Sequence, residues 1–260
     1  MGTADVQGQI WGDRARDWAE IQEAMLVPSY EMLLRETAVG AGTAFLDIGC
    51  GSGMFCWMAA DLGAQVSGLD AAEPLLAIAH ERVPHGDFRT GEMEELPYAD
   101  QTFDVVAGIN AFQFAANPVV ALQEARRVAR PGAPIAIVVF GKREDSKAAA
   151  YFAALGSLLL PPPPGTPGPF ALSIDGALEE LVMQAGMTPG NVEEVDCPWE
   201  YLDEPMALRG LLSSGPAMRA FQRAGEETVR AAVLKALAPF KTAAGGYLLR
   251  NKYRYMIVKA

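Results

Sequence analysis

Histidine and cysteine, which supply many metal ligands and nucleophiles, are scarce in this chain. Two histidines and three cysteines occur among its 260 residues. The cysteines are Cys50, Cys56 and Cys197, an odd number whose spacing matches no zinc-binding framework. We therefore expect three reduced thiols and no metal site, as in a cytoplasmic protein.

Positive charge is also in short supply. The chain carries 21 Lys and Arg against 32 Asp and Glu, which gives a formal net charge of −11. Because sequence-independent nucleic-acid binding depends on contacts of Lys and Arg with phosphate, RNA and DNA are disfavoured as partners. An acidic surface suits a neutral or cationic small molecule better.

Long hydrophobic runs are missing as well. No apolar stretch approaches the length of about 20 residues that spans a membrane, and the N-terminal segment has no apolar core of the signal-peptide type. Half of the residues are hydrophobic, enough to bury a sizeable core. We expect a cytoplasmic protein without a membrane partner. Its oligomeric state stays open, with a homodimer as one option.

Short apolar segments alternate with helical patterns between residues 43 and 141. The segments with strand character are TAFLDI, AQVSGLD, GDFRTGE, FDVVAGIN and APIAIVVFG, and most are separated by amphipathic helical stretches. Continuous apolar strands that alternate with helices are typical of a parallel sheet covered on both faces. The sequence therefore predicts an α/β fold.

The two ends of the chain differ from this central part. Residues 11–38 carry apolar and aromatic side chains at helical spacing, which predicts one or two leading helices. Trp11 and Trp18 are seven residues apart, so they would share one helical face and cover the mouth of a site. A proline-rich loop at 158–170 and a sixth strand at 191–202 follow the core.

The last sixty residues predict helices and then a closing strand. The pattern is helical over 203–240 and alternates in strand fashion over 246–260. We expect one domain over residues 1–260. Its parts would be an N-terminal helical cap (1–40), a ligand-binding core (41–145) and a helical lid inserted before the last strand (200–245).

The stretch LDIGCGSG, residues 46–53, joins the first strand of the core to its first helix through three glycines. Such a turn lets the backbone approach a ligand closely, and the free N–H groups of the helix suit an anionic group. Asp70 ends the second strand, where its carboxylate could accept hydrogen bonds from ribose hydroxyls. A tight turn without a ligand, with Asp70 as a helix N-cap, is the alternative.

A nicotinamide-dependent dehydrogenase would share the glycine loop and the acid. Its fingerprint is G-x-G-x-x-G, whereas this chain has Gly49-x-Gly51-x-Gly53, with the third glycine one place earlier. The spacing disfavours a dehydrogenase, which nevertheless remains the competing interpretation of these residues.

Five segments together resemble the class I S-adenosylmethionine-dependent methyltransferases. They are FLDIGCGSG, VSGLD, GEMEELPYADQTFDVV, INAFQF and EARRVARPGAPI, in that order. The chain looks most similar to the small-molecule branch, typified by ubiquinone/menaquinone-biosynthesis and natural-product methyltransferases. The segment NAFQF lacks the Asn/Asp-Pro-Pro-aromatic motif of adenine- or amide-directed N-methyltransferases. The resemblance implies a Rossmann-like, seven-stranded, mostly parallel sheet, whose antiparallel last strand would be RYMIVKA.

The resemblance also implies a cofactor, S-adenosylmethionine, with S-adenosylhomocysteine as the product. Asp47 would help to hold its ammonium group and Asp70 its ribose hydroxyls. Glu92 stands where the family usually has aspartate, facing the adenine amino group. The implied cofactor-binding residues are Asp47, Gly49, Cys50, Gly51, Gly53, Asp70, Ala71, Glu92, Met93, Asn110 and Ala111.

The acceptor pocket implied by the family lies between the leading helices, the segment after the fourth strand and the late insertion. Aromatic faces there could pack a planar acceptor, and Gln113 could orient it. The candidate substrate-binding residues are Trp11, Trp18, Phe112, Gln113, Trp199 and Tyr201. The family's layout places neither His80 nor His85 near the methyl group, so we nominate no catalytic residue.

These patterns together predict methyl transfer from S-adenosylmethionine to a small organic acceptor, in bacterial secondary metabolism. Alignment of the reactants and exclusion of water would supply much of the rate enhancement. The alternative is a protein of the same fold that binds the cofactor but catalyses another reaction, such as a cyclisation, or only binds.

Overall fold

The computed structural model describes residues 2–161 and 168–260. The strands are β1 (Ala44–Ile48), β2 (Gln65–Asp70), β3 (Asp87–Thr90), β4 (Val105–Ile109), β5 (Pro134–Phe140), β6 (Glu193–Asp196), β7 (Trp199–Tyr201), β8 (Tyr247–Leu249) and β9 (Lys252–Lys259). The α-helices are α1 (Ala4–Gly12), α2 (Ala15–Asp17), α3 (Val27–Glu36), α4 (Met54–Asp61), α5 (Glu73–Arg82), α6 (Pro118–Val128), α7 (Ala148–Gly156), α8 (Ala177–Gln184), α9 (Glu204–Leu211), α10 (Gly215–Ala224) and α11 (Glu226–Leu237). Positions 162–167 of the predicted proline-rich loop lie outside the described residues.

The main sheet has seven strands in the order β3-β2-β1-β4-β5-β9-β6. The first five strands pair in parallel, and β9 runs antiparallel to both β5 and β6. Alternate residues of β5 belong to two apolar layers, with Ile137 on one side and Val138 on the other. Both faces are therefore covered, and the Rossmann-like, mostly parallel fold predicted from the sequence is confirmed.

The strands predicted at 191–202 and 246–260 are each divided in two. The first breaks at Cys197 and Pro198, and the second at Arg250 and Asn251. At the first break, Pro198 cannot donate a hydrogen bond to a strand ladder. At the second, the Asn251 side-chain oxygen accepts a hydrogen bond from the Ala148 N–H at 2.8 Å. The freed halves, β7 and β8, pair with each other in a separate two-stranded sheet.

The N-terminal segment is an interrupted series of helices. After α1 and α2 come a π-helical turn (Trp18–Gln22) and a 3-10 turn (Glu23–Leu26), which lead into α3. Arg14 has a non-helical backbone, so the prediction that Trp11 and Trp18 share a face of one helix is wrong. Their rings still pack edge to face, with centroids 4.9 Å apart.

Helices α9, α10 and α11 lie between β7 and β8, at the place predicted for the helical insertion. They pack against α7 and the N-terminal segment. The Tyr151 hydroxyl on α7 donates to the Leu211 carbonyl at 2.7 Å, which ties the insertion to the core. Within residues 2–161 and 168–260, no helix has the length and apolar character required to cross a membrane.

Candidate functional site

A cavity of about 620 Å³ lies at the carboxyl edge of the main sheet. In a parallel α/β sheet this edge is where ligands bind, because the loops that follow the strands meet there. Segments after β1, β2, β3 and β4 line one end of the cavity, and side chains of α7, β7, α10 and β9 line the other. Helix α1 contributes a third wall.

The glycine loop after β1 is shaped by close contacts that a side chain would block. Gly49 has φ +74°, and a Cβ there would lie 2.8 Å from the Cβ of Ala111. The N–H groups of Gly49 and Cys50 both donate to the Leu69 carbonyl at the end of β2. The loop is thus held against the neighbouring strand while Gly49 and Gly51 face the cavity.

Asp70 lines the cavity and also holds the glycine loop in place. Its two carboxylate oxygens accept hydrogen bonds from the N–H groups of Gly51, at 2.8 Å, and Ala72, at 2.9 Å. Burial raises the pKa of Asp70, and these N–H groups oppose that rise. Each oxygen keeps a second lone pair, so the carboxylate can still accept hydrogen bonds from a ligand.

The N-terminus of α4, which follows the loop, is occupied by another carboxylate. Glu23 accepts hydrogen bonds from the Ser52 hydroxyl at 2.5 Å and from the Met54 N–H at 3.4 Å. The buried Glu23 carboxylate also forms an ion pair with the partly exposed Arg82 of α5. Dinucleotide-binding proteins place a pyrophosphate at this helix end, so Glu23 makes the position unsuitable for a phosphate.

Unpartnered polar atoms lie on both sides of the loop. Asp47 is buried, and its Oδ1 has no hydrogen-bond partner. Burial raises the pKa of Asp47 well above its usual range, and the nearby charges of Glu23 and Asp70 raise it further. The Trp18 indole N–H, which lies beside Gly51, is also buried without a partner. One acceptor and one donor near the glycine loop are thus not satisfied by any described residue.

The next loop, after β3, is joined to the N-terminal segment. The Ala4 N–H donates to Glu92 Oε2 at 3.0 Å, and the Thr3 hydroxyl donates to the Phe114 carbonyl at 2.8 Å. A Cβ at Gly8 would lie 2.2 Å from the Ala71 carbonyl oxygen. Helix α1 therefore packs directly on the loops that line the cavity and closes this end of it.

The segment after β4 contributes a short chain of polar side chains. Asn110 has φ +50°, a strained value for a residue with a side chain. Its Oδ1 accepts a hydrogen bond from Gln113 Nε2 at 3.3 Å. The hydroxyl of Tyr253, on β9, accepts one from Trp199 Nε1 at 3.2 Å. All four side chains line the cavity.

The structure brings most of the predicted site residues to this cavity. Those in its lining are Gly49, Gly51, Asp70, Ala71, Glu92, Met93, Asn110, Ala111, Trp11, Trp18, Gln113 and Trp199. Asp47, Cys50, Gly53, Phe112 and Tyr201 lie behind the lining. Phe112 fills the space left by Gly108, and the Tyr201 hydroxyl donates to Gln22 Oε1 at 2.7 Å.

Several lining or supporting residues escaped the sequence reasoning. Glu23 and Arg82 lie within amphipathic helical patterns, where a charge usually marks a solvated face. Tyr253 belongs to a strand pattern that predicts only core packing, and Tyr151 to an alanine-rich helix. In the structure Tyr151 and Tyr253 line the cavity, whereas Glu23 and Arg82 pair behind the glycine loop. His80 and His85 do not reach the described lining, and the three cysteines are buried and unpaired.

Comparison with known proteins gives a consistent picture for the core. Residues 46–137 match the family model described as a methyltransferase domain. The chain is 40% identical over 96 residues to a ubiquinone biosynthesis O-methyltransferase of Maricaulis maris, covering 35% of this chain and 38% of that protein. It is 33% identical over 157 residues to methyltransferase GfsG of Streptomyces halstedii, covering 56% and 55%. The chain thus spans about half the length, or less, of these curated relatives.

Solved structures share the fold over more of the chain. A SAM-dependent methyltransferase from Aquifex aeolicus aligns with a TM-score of 0.54 and 22% identity, covering 70% of this chain and 93% of that one. The [4+2]-cyclase SpnF aligns with a TM-score of 0.59 and 21% identity, covering 88% and 79%. At such low identity the likeness concerns the fold alone.

Proposed function

Because this chain belongs to the class I S-adenosylmethionine-dependent methyltransferases, we propose that it transfers a methyl group from S-adenosylmethionine to a small organic acceptor. Bound S-adenosylmethionine supplies a methyl group on a positively charged sulfur. The main support from the cavity is its charge: the carboxylates of Asp70 and Glu92 line the end near the glycine loop. Such an environment favours a cationic cofactor.

Residues in and behind the lining fit this cofactor at its amino-acid group and at its ribose. Asp47 Oδ1 and the Trp18 indole N–H, both without partners, suit an amino-acid group with its ammonium and carboxylate. Asp70 has lone pairs left for the ribose hydroxyls. Besides the Trp18 indole N–H, the residues proposed to hold the cofactor are Asp47, Gly49, Cys50, Gly51, Gly53, Asp70, Ala71, Glu92, Met93, Asn110 and Ala111, with Cys50 and Gly53 acting through the shape of the loop.

The same cavity disfavours the competing dehydrogenase. Glu23 occupies the N-terminus of α4, where a nicotinamide dinucleotide would place its pyrophosphate. A pyrophosphate there would have to displace this carboxylate, whose charge Arg82 already balances. We therefore expect the protein to prefer S-adenosylmethionine over any nicotinamide dinucleotide.

Catalysis by this chain would rest on positioning. Helix α1 and the helices between β7 and β8 wall off the cavity, so that the acceptor is held against the methyl group with water excluded. Trp11, Trp18, Gln113 and Trp199 are the proposed acceptor contacts. Phe112 and Tyr201, which lie behind the lining, would support the wall. An acceptor from bacterial secondary metabolism remains our prediction.

Calorimetric titration and product analysis test this function. We expect saturable binding of S-adenosylmethionine and of S-adenosylhomocysteine, with much weaker binding of NAD or NADP. With a panel of phenols, carboxylic acids, amines and thiols, S-adenosylhomocysteine should accumulate in step with a methylated product. Stronger binding of a nicotinamide dinucleotide would refute the proposal.

A second function uses the same cofactor site without methyl transfer. The described lining holds no histidine, lysine or cysteine that could serve as a general base, and the [4+2]-cyclase SpnF shares the fold. Tight cofactor binding without S-adenosylhomocysteine formation over the whole acceptor panel would favour this cyclisation-type or binding-only alternative.

A further inference from the structure

At the end of the cavity away from Asp70, the hydroxyl of Tyr253 can donate a hydrogen bond to a bound molecule. The Tyr253 oxygen accepts a hydrogen bond from Trp199 Nε1 at 3.2 Å. No described residue accepts a hydrogen bond from the Tyr253 hydroxyl, so its own proton is left for a bound molecule. Asn110, which also lines the cavity, accepts a hydrogen bond from Gln113 Nε2 at its Oδ1 at 3.3 Å.

This hydroxyl is a donor and cannot serve as a base. Burial is the dominant influence on Tyr253 and raises its pKa far above the usual value, so the phenol stays protonated. Gln113 also lines the cavity, and its Oε1 is buried without a hydrogen-bond partner. This end of the described lining thus offers a bound molecule the Tyr253 hydroxyl as a donor and Gln113 Oε1 as an acceptor.

The two carboxylates of the described lining, Asp70 and Glu92, lie at the opposite end of the cavity. Tyr253 pairs with Phe140 across β9 and β5, whereas Asp70 ends β2, four strands away. At about 4.8 Å per strand the two positions are roughly 19 Å apart. Both oxygens of Asp70 and both oxygens of Glu92 also accept backbone hydrogen bonds. No carboxylate of the described lining is placed to take a proton from an acceptor near Tyr253.

The described lining has a single basic side chain, on the acceptor side. Arg219 lies on α10, is exposed, and forms no ion pair with any described residue. The apolar walls here come from aromatic rings, including Phe140, Phe152 and Trp199, whose centroids lie 5.1–6.5 Å apart. The aromatic walls suit a planar molecule. The Arg219 guanidinium and the Tyr253 hydroxyl proton suit a negatively charged oxygen on it.

We propose that the acceptor is a small planar compound with an acidic hydroxyl, such as an electron-poor phenol or the enol of a β-dicarbonyl, bound as its oxyanion with the Tyr253 hydroxyl as donor. The proposal rests on the methyltransferase function argued above and names its substrate class. Gln113 Oε1 would accept a hydrogen bond from a neighbouring donor group of the same molecule, which fixes the orientation of the ring.

The chemistry balances without a base from the protein. The hydroxyl proton passes to water when the acceptor ionises, and the oxygen then bonds to the methyl carbon. The electron pair of the broken carbon–sulfur bond remains on sulfur. An amine acceptor is disfavoured because its methylated product is a cation. That cation would face the positive end of the Tyr253 hydroxyl, and no carboxylate of the described lining lies near it.

Binding of 4-nitrophenol tests the substrate class without turnover, because its oxyanion absorbs visible light and its neutral form does not. The protein is first saturated with S-adenosylhomocysteine, which reports separately on the cofactor site. We expect saturable binding of the yellow oxyanion. Tyr253→Phe should weaken that binding on the order of 10- to 100-fold, the loss expected for a hydrogen bond to a charged oxygen, while S-adenosylhomocysteine binding stays unchanged.

The matched control is Tyr255→Phe, on the same strand and two residues along, whose hydroxyl donates to Glu193 away from the cavity. It should bind the oxyanion like the wild type. In turnover with S-adenosylmethionine, phenols and enols of graded acidity should be methylated with pH profiles that follow each acceptor's own ionisation.

Three outcomes would overturn the substrate class. They are binding of neutral 4-nitrophenol only, failure of this and related acidic hydroxyls to bind at all, and methylation confined to amines. Methylation of amines alone would still support the methyltransferase function. Failure of the wild-type protein to bind S-adenosylmethionine or S-adenosylhomocysteine would instead count against that function.

Discussion

The buried Glu23 carboxylate and the partly exposed Arg82 form an ion pair directly behind the glycine loop. Arg82 also donates to the Ala19 carbonyl at 2.8 Å and to the Ser52 carbonyl at 2.9 Å. One guanidinium therefore joins the N-terminal segment, the loop and α5. The ion pair both places the Glu23 carboxylate at the N-terminus of α4 and neutralises it there.

Removal of Arg82 should destabilise the protein strongly. In Arg82→Ala the Glu23 carboxylate stays buried without its partner, which typically costs about 3–5 kcal/mol of unfolding free energy. Urea denaturation of the ligand-free protein measures the change. Arg16→Ala is the control, because Arg16 pairs with Glu81 at the surface, where such pairs contribute about 0–1 kcal/mol. Equal losses in the two variants would contradict the structural role of the Arg82 pair.

The buried Asp47 should make the ligand-free protein less stable as the pH rises. Its pKa is raised in the folded state by burial, then by Glu23 and Asp70. A carboxyl of this kind contributes stability that is fully present below its unfolded-state pKa of about 4 and is lost as the pH rises through the folded-state value.

Thermal unfolding of Asp47→Asn tests this dependence. Asparagine cannot ionise, so the variant should melt above the wild type near neutral pH, and the gain should shrink toward about pH 4. Asp61→Asn, exposed at the end of α4, should show no such trend. A gain that is constant with pH would show that charge on Asp47 is not the cause.

Replacement of Asp70 should weaken cofactor binding. Asp70→Ala removes the acceptors proposed for the ribose hydroxyls, with an expected loss of about 1.5–3 kcal/mol in calorimetric titration. Glu73→Ala removes a nearby exposed carboxylate and should leave the affinity unchanged. Asp70 also accepts a hydrogen bond from the Gly51 N–H, so its removal affects the loop as well. Asp70→Asn keeps one acceptor oxygen, and its affinity for the cofactor should lie between those of Asp70→Ala and Glu73→Ala. Undiminished affinity in Asp70→Ala would remove the ribose assignment.

A methyl group at Gly8 should displace α1 from the cavity. A Cβ there would lie 2.2 Å from the Ala71 carbonyl oxygen, so the backbone must shift. We expect Gly8→Ala to bind S-adenosylhomocysteine several-fold more weakly and to show faster amide hydrogen exchange over residues 4–12. Gly40→Ala meets no atom within 4 Å and is the control. Unchanged exchange would show that the contact with Ala71 does not hold the helix.

The local patterns of the core predicted its architecture well because each one has a local physical cause. Apolar runs that end in glycine and then helix formers predict a strand–turn–helix unit wherever they occur. Asp70 and Asn110 follow predicted strands, so their common edge could be expected. The helical continuity assumed for Trp11 and Trp18 failed because the break at Arg14 has no strong sequence signal.

The parts of the cavity that come from distant segments could not be predicted in the same way. Nothing in the sequence near Glu23 indicates that its carboxylate lies at the start of α4, since its partner Arg82 is 59 positions away. The same holds for Tyr253. Its hydroxyl bonds with Trp199 Nε1 only because β9 lies antiparallel beside β5 and β7 pairs with β8, the strand just before β9.

The sequence by itself determined the parallel core, the glycine loop and the resemblance to a methyltransferase, since periodicity and spacing act over a few residues and survive in any context. Tertiary structure alone decided which charges are buried, which polar atoms lack partners and which hydroxyl faces the acceptor. Those properties depend on the distances between segments far apart in the chain, because burial and electrostatic interaction act through space.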